Sequence, residues 1–206
     1  MKPFVVSPVV PFPNIAWWRH FIDPAVTILL DEQEHFEKMS FRNRYMVAGA
    51  DGVLTLSIPL QAGRQQRKAM KEVVICNKTR WQIQHWRTLV SIYGRAPYFE
   101  HYAPALAPLF EQPFEYLTEF SKAGITSLQG MLRMTNPVRI TAAYCRDYPE
   151  ASGDLRHQIR TNNYSEGSYR HYYQTFGERH GFLPNLSILD LLFSEGPAAS
   201  GLIGAP

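Results

Sequence analysis

Apolar residues run without a break over residues 4–10, the pattern of a strand buried on both faces. Residues 11–14, rich in proline, then turn the chain. Asn14 is placed to cap a short helix carrying Ile15, Trp17, Trp18 and Phe21. Asp23-Pro24 stops that helix, and residues 25–30 form a second buried strand that ends at Asp31. A strand, a helix and a strand in so short a span predict a right-handed crossover between parallel neighbours. Residues 41–47 and 53–58 read as two arms of a hairpin, with Gly49-Ala50-Asp51-Gly52 as the turn. In the second arm Leu54, Leu56 and Ile58 share one face, and Val53, Thr55 and Ser57 share the other. A basic loop over residues 63–71 precedes a short strand at 73–76.

Helical spacing follows. Residues 80–93 give the clearest helix, ended by Gly94. Pro104 and Pro108 interrupt a second segment at 98–110, and Gly124 and Gly130 weaken a third at 114–134. Residues 138–144 read as a strand. Residues 146–177, rich in Tyr and His, match no periodicity. A last helix over 186–195 is closed by Gly196-Pro197. The order predicts a single α/β (or α+β) domain over residues 1–197: a mixed sheet with a β-α-β start, an inserted β-hairpin and flanking helices. Residues 198–206 are expected to be a disordered tail.

Composition narrows the class. The chain has 206 residues, 45% hydrophobic and 19% charged, enough apolar material for a substantial core. A net charge of +3 falls short of a nucleic-acid binder's basic stripe and leaves an anionic small molecule as the favoured partner. Homo-oligomers stay open. Cys76 and Cys145 form no CxxC pair and read as reduced thiols. The proline-broken N-terminus is no signal peptide, and no apolar run spans a bilayer, so the expected compartment is the cytoplasm.

Several residue patterns carry chemistry. On the 80–93 helix, at about 100° per residue, His85 falls inside a broad apolar arc between Trp81 and Leu89. There it is either a satisfied core histidine or a general base with a lowered pKa. Arg42 and Arg44 flank Asn43; on one strand they would form a two-guanidinium comb for phosphate or carboxylate. The alternative is a solvated sheet face. Asp31, at the carboxyl end of a parallel strand, stands where ligands gather in open α/β sheets, or simply forms a turn. Ser187 and Asp190 fit a capping box at the last helix, which leaves Asn185 and His180 less easily explained. The seven histidines form no HxH, HxxxH or HExxH, so no metal is expected. No GxGxxG, P-loop or GxSxG occurs, and no cofactor is expected.

The chain resembles the WbqC-like proteins of bacteria. The resemblance rests on Phe12-Pro13-Asn14, on Phe41-Arg42-Asn43-Arg44 with Leu56-Ser57-Ile58-Pro59, and on Trp81 with His85-Trp86-Arg87. It continues in the segment from Tyr93-Gly94-Arg95 to Phe99 and in the long run from Gly181-Phe182-Leu183 to Phe193. Longer members carry a further stretch before that closing run, which this chain lacks. The family takes its name from surface-polysaccharide (O-antigen) gene clusters. The resemblance implies an enzyme and strengthens Arg42, Asn43, Arg44, His85 and Asn185; with the inward His85 and the basic hairpin, the expectation is group transfer on an anionic sugar or activated intermediate, with His85 and Asp31 as catalytic candidates. Arg42, Asn43, Arg44, Arg87, Tyr93, His180, Asn185 and Asp190 are the substrate-binding candidates. The alternative is a module that binds a nucleotide-sugar or a protein without catalysis.

Overall fold

The computed structural model describes residues 2–63, 67–158, 161 and 163–204. Arg64 of the basic loop and the last two residues of the tail lie outside the described residues. The chain opens with β1 (Phe4–Pro8), α1 (Ile15–Trp18) and β2 (Thr27–Asp31). Asn14 caps α1 as expected, its side chain accepting from the Trp17 backbone N–H at 3.1 Å. A 3-10 turn at Phe41–Asn43 leads into the hairpin of β3 (Arg44–Gly49) and β4 (Gly52–Ser57). The helices α2 (Trp81–Tyr93), α3 (Phe99–Leu106), α4 (Pro108–Glu111) and α5 (Leu117–Met131) follow. Then come β5 (Val138–Ile140), β6 (Gly153–Asp154), α6 (Gly177–His180), α7 (Ile188–Glu195) and α8 (Ala199–Leu202).

The architecture is α/β. Four parallel strands lie in the order β5-β2-β1-β6, and the hairpin forms a separate antiparallel pair. The β1/β2 register puts Pro8 beside Asp31, so the two strands end together. Strand β6 has only two residues and comes from the stretch whose pattern matched no element. Residues 73–76 make isolated bridges, Val74 to Tyr116 and Ile75 to Leu60, rather than a strand of their own.

Phe12 sits at the middle of the core, with the rings of Tyr45, Phe110 and Phe120 at 5.0, 5.6 and 5.5 Å. Its backbone is held at φ 42°, a strained value for a bulky side chain. Gly124 on α5 makes the approach possible, since a Cβ there would press on the Phe12 ring at 3.3 Å. The tail departs from its expected disorder. Gly196–Ala198 forms a 3-10 turn, α8 follows, and Ala199 and Ile203 are fully buried. Two apolar side chains facing the core are enough to hold so short a segment down.

Candidate functional site

Because β2, β5 and β6 run parallel, their carboxyl ends share one edge, the edge where open α/β sheets bind ligands. Asp31 ends β2 and is fully buried there. Its Oδ1 accepts from the backbone N–H groups of Gln33 (3.0 Å) and Glu34 (3.2 Å) and from the Thr141 hydroxyl (3.0 Å), just past β5. Its Oδ2 accepts from Arg156 Nη1 at 2.9 Å.

Arg156 spends all its donors on this edge. Nε and Nη2 fork onto the Asp154 carboxylate, Nη1 also reaches the Cys145 carbonyl at 2.8 Å, and Nη2 reaches the Arg146 carbonyl at 2.8 Å. Hydrogen bonds to Asp154 raise the Arg156 pKa, against the effect of burial. Burial also opposes ionisation of Asp154, but the Arg156 guanidinium outweighs it and holds that carboxyl below its usual range.

A second guanidinium lies alongside. Arg42 holds Glu34 through two bonds, Nε to Oε1 at 3.0 Å and Nη2 to Oε2 at 2.6 Å. Its Nη1 reaches Glu37 at 3.1 Å, and Nη2 donates to the Arg156 carbonyl at 3.1 Å, which joins the two networks. Burial pushes the Glu34 carboxyl up to about 7, against the pull of Arg42 and with a contribution from Asp31. These groups wall a cleft of about 290 Å³ with His35, Tyr144 and His157 exposed around it. Four carboxylates, Asp31, Glu34, Glu37 and Asp154, are here bonded to two guanidinium groups, and of the four, Glu34 and Glu37 line the cleft.

The structure separates residues that the sequence grouped. Arg42 lies in the 3-10 turn, not on a strand, so no comb forms with Arg44. A turn breaks the two-residue alternation a comb needs, and the Arg42 guanidinium is already committed to Glu34 and Glu37. Arg44 is half-buried opposite Ser57 in the hairpin. Asn43 ties the foot of the hairpin: its Nδ2 donates to the Ile58 carbonyl at 3.0 Å, and the Ile58 N–H returns a bond at 2.8 Å. Arg87 is exposed on α2.

His85 is buried against the Trp81 and Tyr45 rings, with Nδ1 3.1 Å from the Tyr45 hydroxyl. Burial lowers its pKa to about 4, with a backbone bond to Ser57 opposing. Tyr45, Trp81 and Ser57 around His85 are not among the Asp31 partners Gln33, Glu34, Thr141 and Arg156, so the two residues sit in different surroundings. The broad apolar arc of α2 is also narrower than the pattern implied, since Ile83 and Val90 are exposed.

Ser187 is the N-cap of α7, accepting from Leu189 N–H at 3.4 Å, but Asp190 does not close a capping box. Its carboxylate turns inward and accepts from the Tyr93 hydroxyl (2.7 Å), the Tyr172 hydroxyl (2.7 Å) and Gln174 Nε2 (2.9 Å). A fully buried carboxylate takes any strong donor within reach, and three side chains outcompete one backbone N–H. His180 places Nε2 3.1 Å from the Gly49 carbonyl at the hairpin turn. Asn185, at φ 52°, accepts from the Ala16 N–H at 2.7 Å and donates to the Tyr164 carbonyl.

Among the described residues no group of three or more His, Cys, Asp or Glu is arranged to hold a metal ion. Among them, too, no helix is long and apolar enough to cross a membrane. The sequence reading missed Glu34, Glu37, Asp154 and Arg156. The available signal was the Asp154-Leu155-Arg156 triplet, whose first and third side chains share a face in extended chain.

The sequence profile of the WbqC-like protein family matches residues 11–169. The chain belongs to the WbqC-like family. The matched range contains the whole strand-end cleft and stops before Asn185 and Asp190. This WbqC-like chain is also 25% identical, over 217 aligned residues, to the uncharacterised protein Rv1507c of Mycobacterium tuberculosis. That alignment covers 90% of this chain and 92% of its relative. No solved structure matches significantly.

Proposed function

We propose that this WbqC-like chain is an enzyme of surface-polysaccharide synthesis that works in the strand-end cleft and transfers a group onto an amine or hydroxyl of a sugar. One observation carries the reading: the carboxylates Glu34 and Glu37 line a concave site at the carboxyl edge of a parallel sheet, and Glu37 is part exposed there. A part-exposed carboxylate can hold a substrate ammonium. Glu37, whose side chain is 32% exposed, is the carboxylate best placed to meet the substrate amine. Glu34, with a pKa of about 7, takes a proton from the bound ammonium or hydroxyl, the freed lone pair attacks the donor, and the amine's second proton leaves with the departing group. The donor's leaving group departs with the bonding pair. Asp31 and Arg156 position the walls and do not touch substrate.

Glu34 acts as a base only when ionised, so turnover rises as pH increases through about 7. A second reading, binding without turnover, is favoured by the complete engagement of Arg156, which gives the cleft a fixed frame.

The test is a thermal-shift series with hexosamines, their N-acetylated forms and hexuronic acids. Ligand at about a hundred times its dissociation constant stabilises the fold by about 2.7 kcal/mol. Hexosamines should shift the melt, N-acetylated forms should not, and Glu37→Gln should abolish the shift. A response to hexuronic acids alone would sink the reading. With the transfer substrate in hand, Glu34→Gln should retain binding and lose turnover; retained turnover would favour the binding module.

A further inference from the structure

A second cavity lies on the other side of the chain segment that walls the cleft. Residues Leu155 and Gln158 line it, while Arg156 and His157 between them line the cleft. The cavity is about 340 Å³ and is closed on its far side by Arg19 and His20, past the end of α1, and by Asn185. Its polar groups are less fully used than those of the cleft. Arg19 donates through Nε to the Ile203 carbonyl at 3.1 Å and through Nη2 to the Ser168 carbonyl, and its guanidinium stacks on the Tyr169 ring at 4.4 Å. Guanidinium has five N–H donors, so three have no protein partner among the described residues. His20, half-buried, has no hydrogen-bond partner among the described residues either. Asn185 has one donor and one acceptor position beyond its two bonds. Among the described residues that line this cavity Arg19 faces one carboxylate, the exposed Glu166, whereas each cleft guanidinium is bonded to two carboxylates.

We infer that this cavity binds an oxyanion, a phosphate or carboxylate borne by a polar ligand, through Arg19, Gln158 and Asn185. The argument is one of unspent donors. A planar guanidinium held by stacking and by two carbonyls is pre-organised, so its remaining N–H groups meet a ligand oxyanion at little entropic cost. The amides of Gln158 and Asn185 supply neutral donors and acceptors for the rest of the ligand. Resting on the proposed group transfer, the inference assigns the anionic reactant to this cavity and the amine to the cleft, with residues 155–158 as their common wall.

The experiment is isothermal titration of the full chain with inorganic phosphate, uridine diphosphate and glucuronate, which separates a phosphate from a carboxylate source. At least one should bind. Arg19→Gln and Gln158→Ala should each weaken that binding, the first by about tenfold or more, the loss of one charge-assisted hydrogen bond. Glu37→Gln should leave it unchanged. If no probe binds at millimolar concentration, or if both variants bind as the wild type does, the inference is wrong. Should Arg19→Gln fail to fold, the exposed Gln158→Ala decides alone. Oxyanion binding without a hexosamine response in the cleft would retain this site and remove the amine reading; the reverse would remove this site only.

Discussion

Asp31 and Arg156 meet at 2.9 Å although 125 residues separate them, and their side chains are 0% and 2% exposed. This contact closes the sheet edge, because Arg156 then reaches Asp154 on β6 and the carbonyls of the loop after β5. Two ends of the fold are thereby locked to the strand that carries Asp31.

Removing one member of a buried pair leaves the other charged and unsolvated, which costs about 3–5 kcal/mol. Arg156→Met should therefore destabilise by that amount, since it strands Asp31 and Asp154 together. The double variant Arg156→Met/Asp31→Asn should recover part of the loss. Urea denaturation of wild type, both single variants and the double variant measures the coupling. A loss below about 1 kcal/mol in Arg156→Met would mean the pair is hydrated in solution.

His85 predicts an acid-sensitive core. Its folded pKa is about 4 and the ordinary value is 6.5. Between those values the unfolded chain binds the proton and the folded chain does not. The stabilisation is therefore complete above pH 6.5 and is lost as pH falls through the window to 4. The full swing is about 3 kcal/mol, at about 1.36 kcal/mol per pH unit. His85→Gln cannot titrate there, so the stability difference between wild type and variant should narrow by about that amount as pH falls from about 7 to about 4. A constant difference across the range would show that His85 is solvated.

The elements that were legible from sequence are those whose burial is local and periodic. Residues Val5 to Val10 are all buried, and Asn14 caps its helix, because a continuous apolar run and a cap need only near neighbours. The cleft was not legible for the opposite reason. Its charges come from the irregular stretch after β2 (Glu34, Glu37), from the 3-10 turn that follows (Arg42) and from a two-residue strand (Asp154, with Arg156 after it), none of which leaves a periodic trace. Asp31 lies at the carboxyl end of β2, as the pattern predicted, because a strand's end is a position that periodicity can mark. His85 was placed correctly on the inner face of its helix, but periodicity does not report which cavity that face meets.

Asp190 accepts three side-chain hydrogen bonds with no cation among its hydrogen-bonding partners, and burial raises its pKa. Asp190→Ala leaves the Tyr93 and Tyr172 hydroxyls without their shared acceptor, while the Gln174 amide keeps the Leu183 carbonyl and the Tyr172 hydroxyl. At about 1–3 kcal/mol for each unsatisfied buried group, the variant should lose about 2–6 kcal/mol. Tyr93→Phe should lose less, about 1–3 kcal/mol, because Asp190 keeps two donors while the Ala48 N–H loses its acceptor. Chemical denaturation gives the order; equal losses would mean that the network acts as a single unit.

Gly196 and Gly130 should respond in opposite directions to the same substitution. Gly196 ends α7 at φ 54°, and a Cβ there would be driven into the Tyr98 ring. The Tyr98 backbone is fixed by its N–H bond to the Phe193 carbonyl of α7 at 2.9 Å, so the ring can yield only by turning about its side-chain bonds. Left-handed backbone costs a side chain about 1–2 kcal/mol, and overpacking adds about 1–3 kcal/mol. Gly196→Ala should thus destabilise by more than about 2 kcal/mol and loosen the C-terminal segment that buries Ile203. Gly130 lies in α5, and a Cβ added there would meet nothing within 4 Å. Gly130→Ala should therefore stabilise by about 0.5–1 kcal/mol through helix propensity alone. Thermal melts of the two variants, with hydrogen exchange at residues 196–204, test both. If Gly196→Ala melts with the wild type and leaves the terminal amides protected, α8 does not depend on the Tyr98 contact.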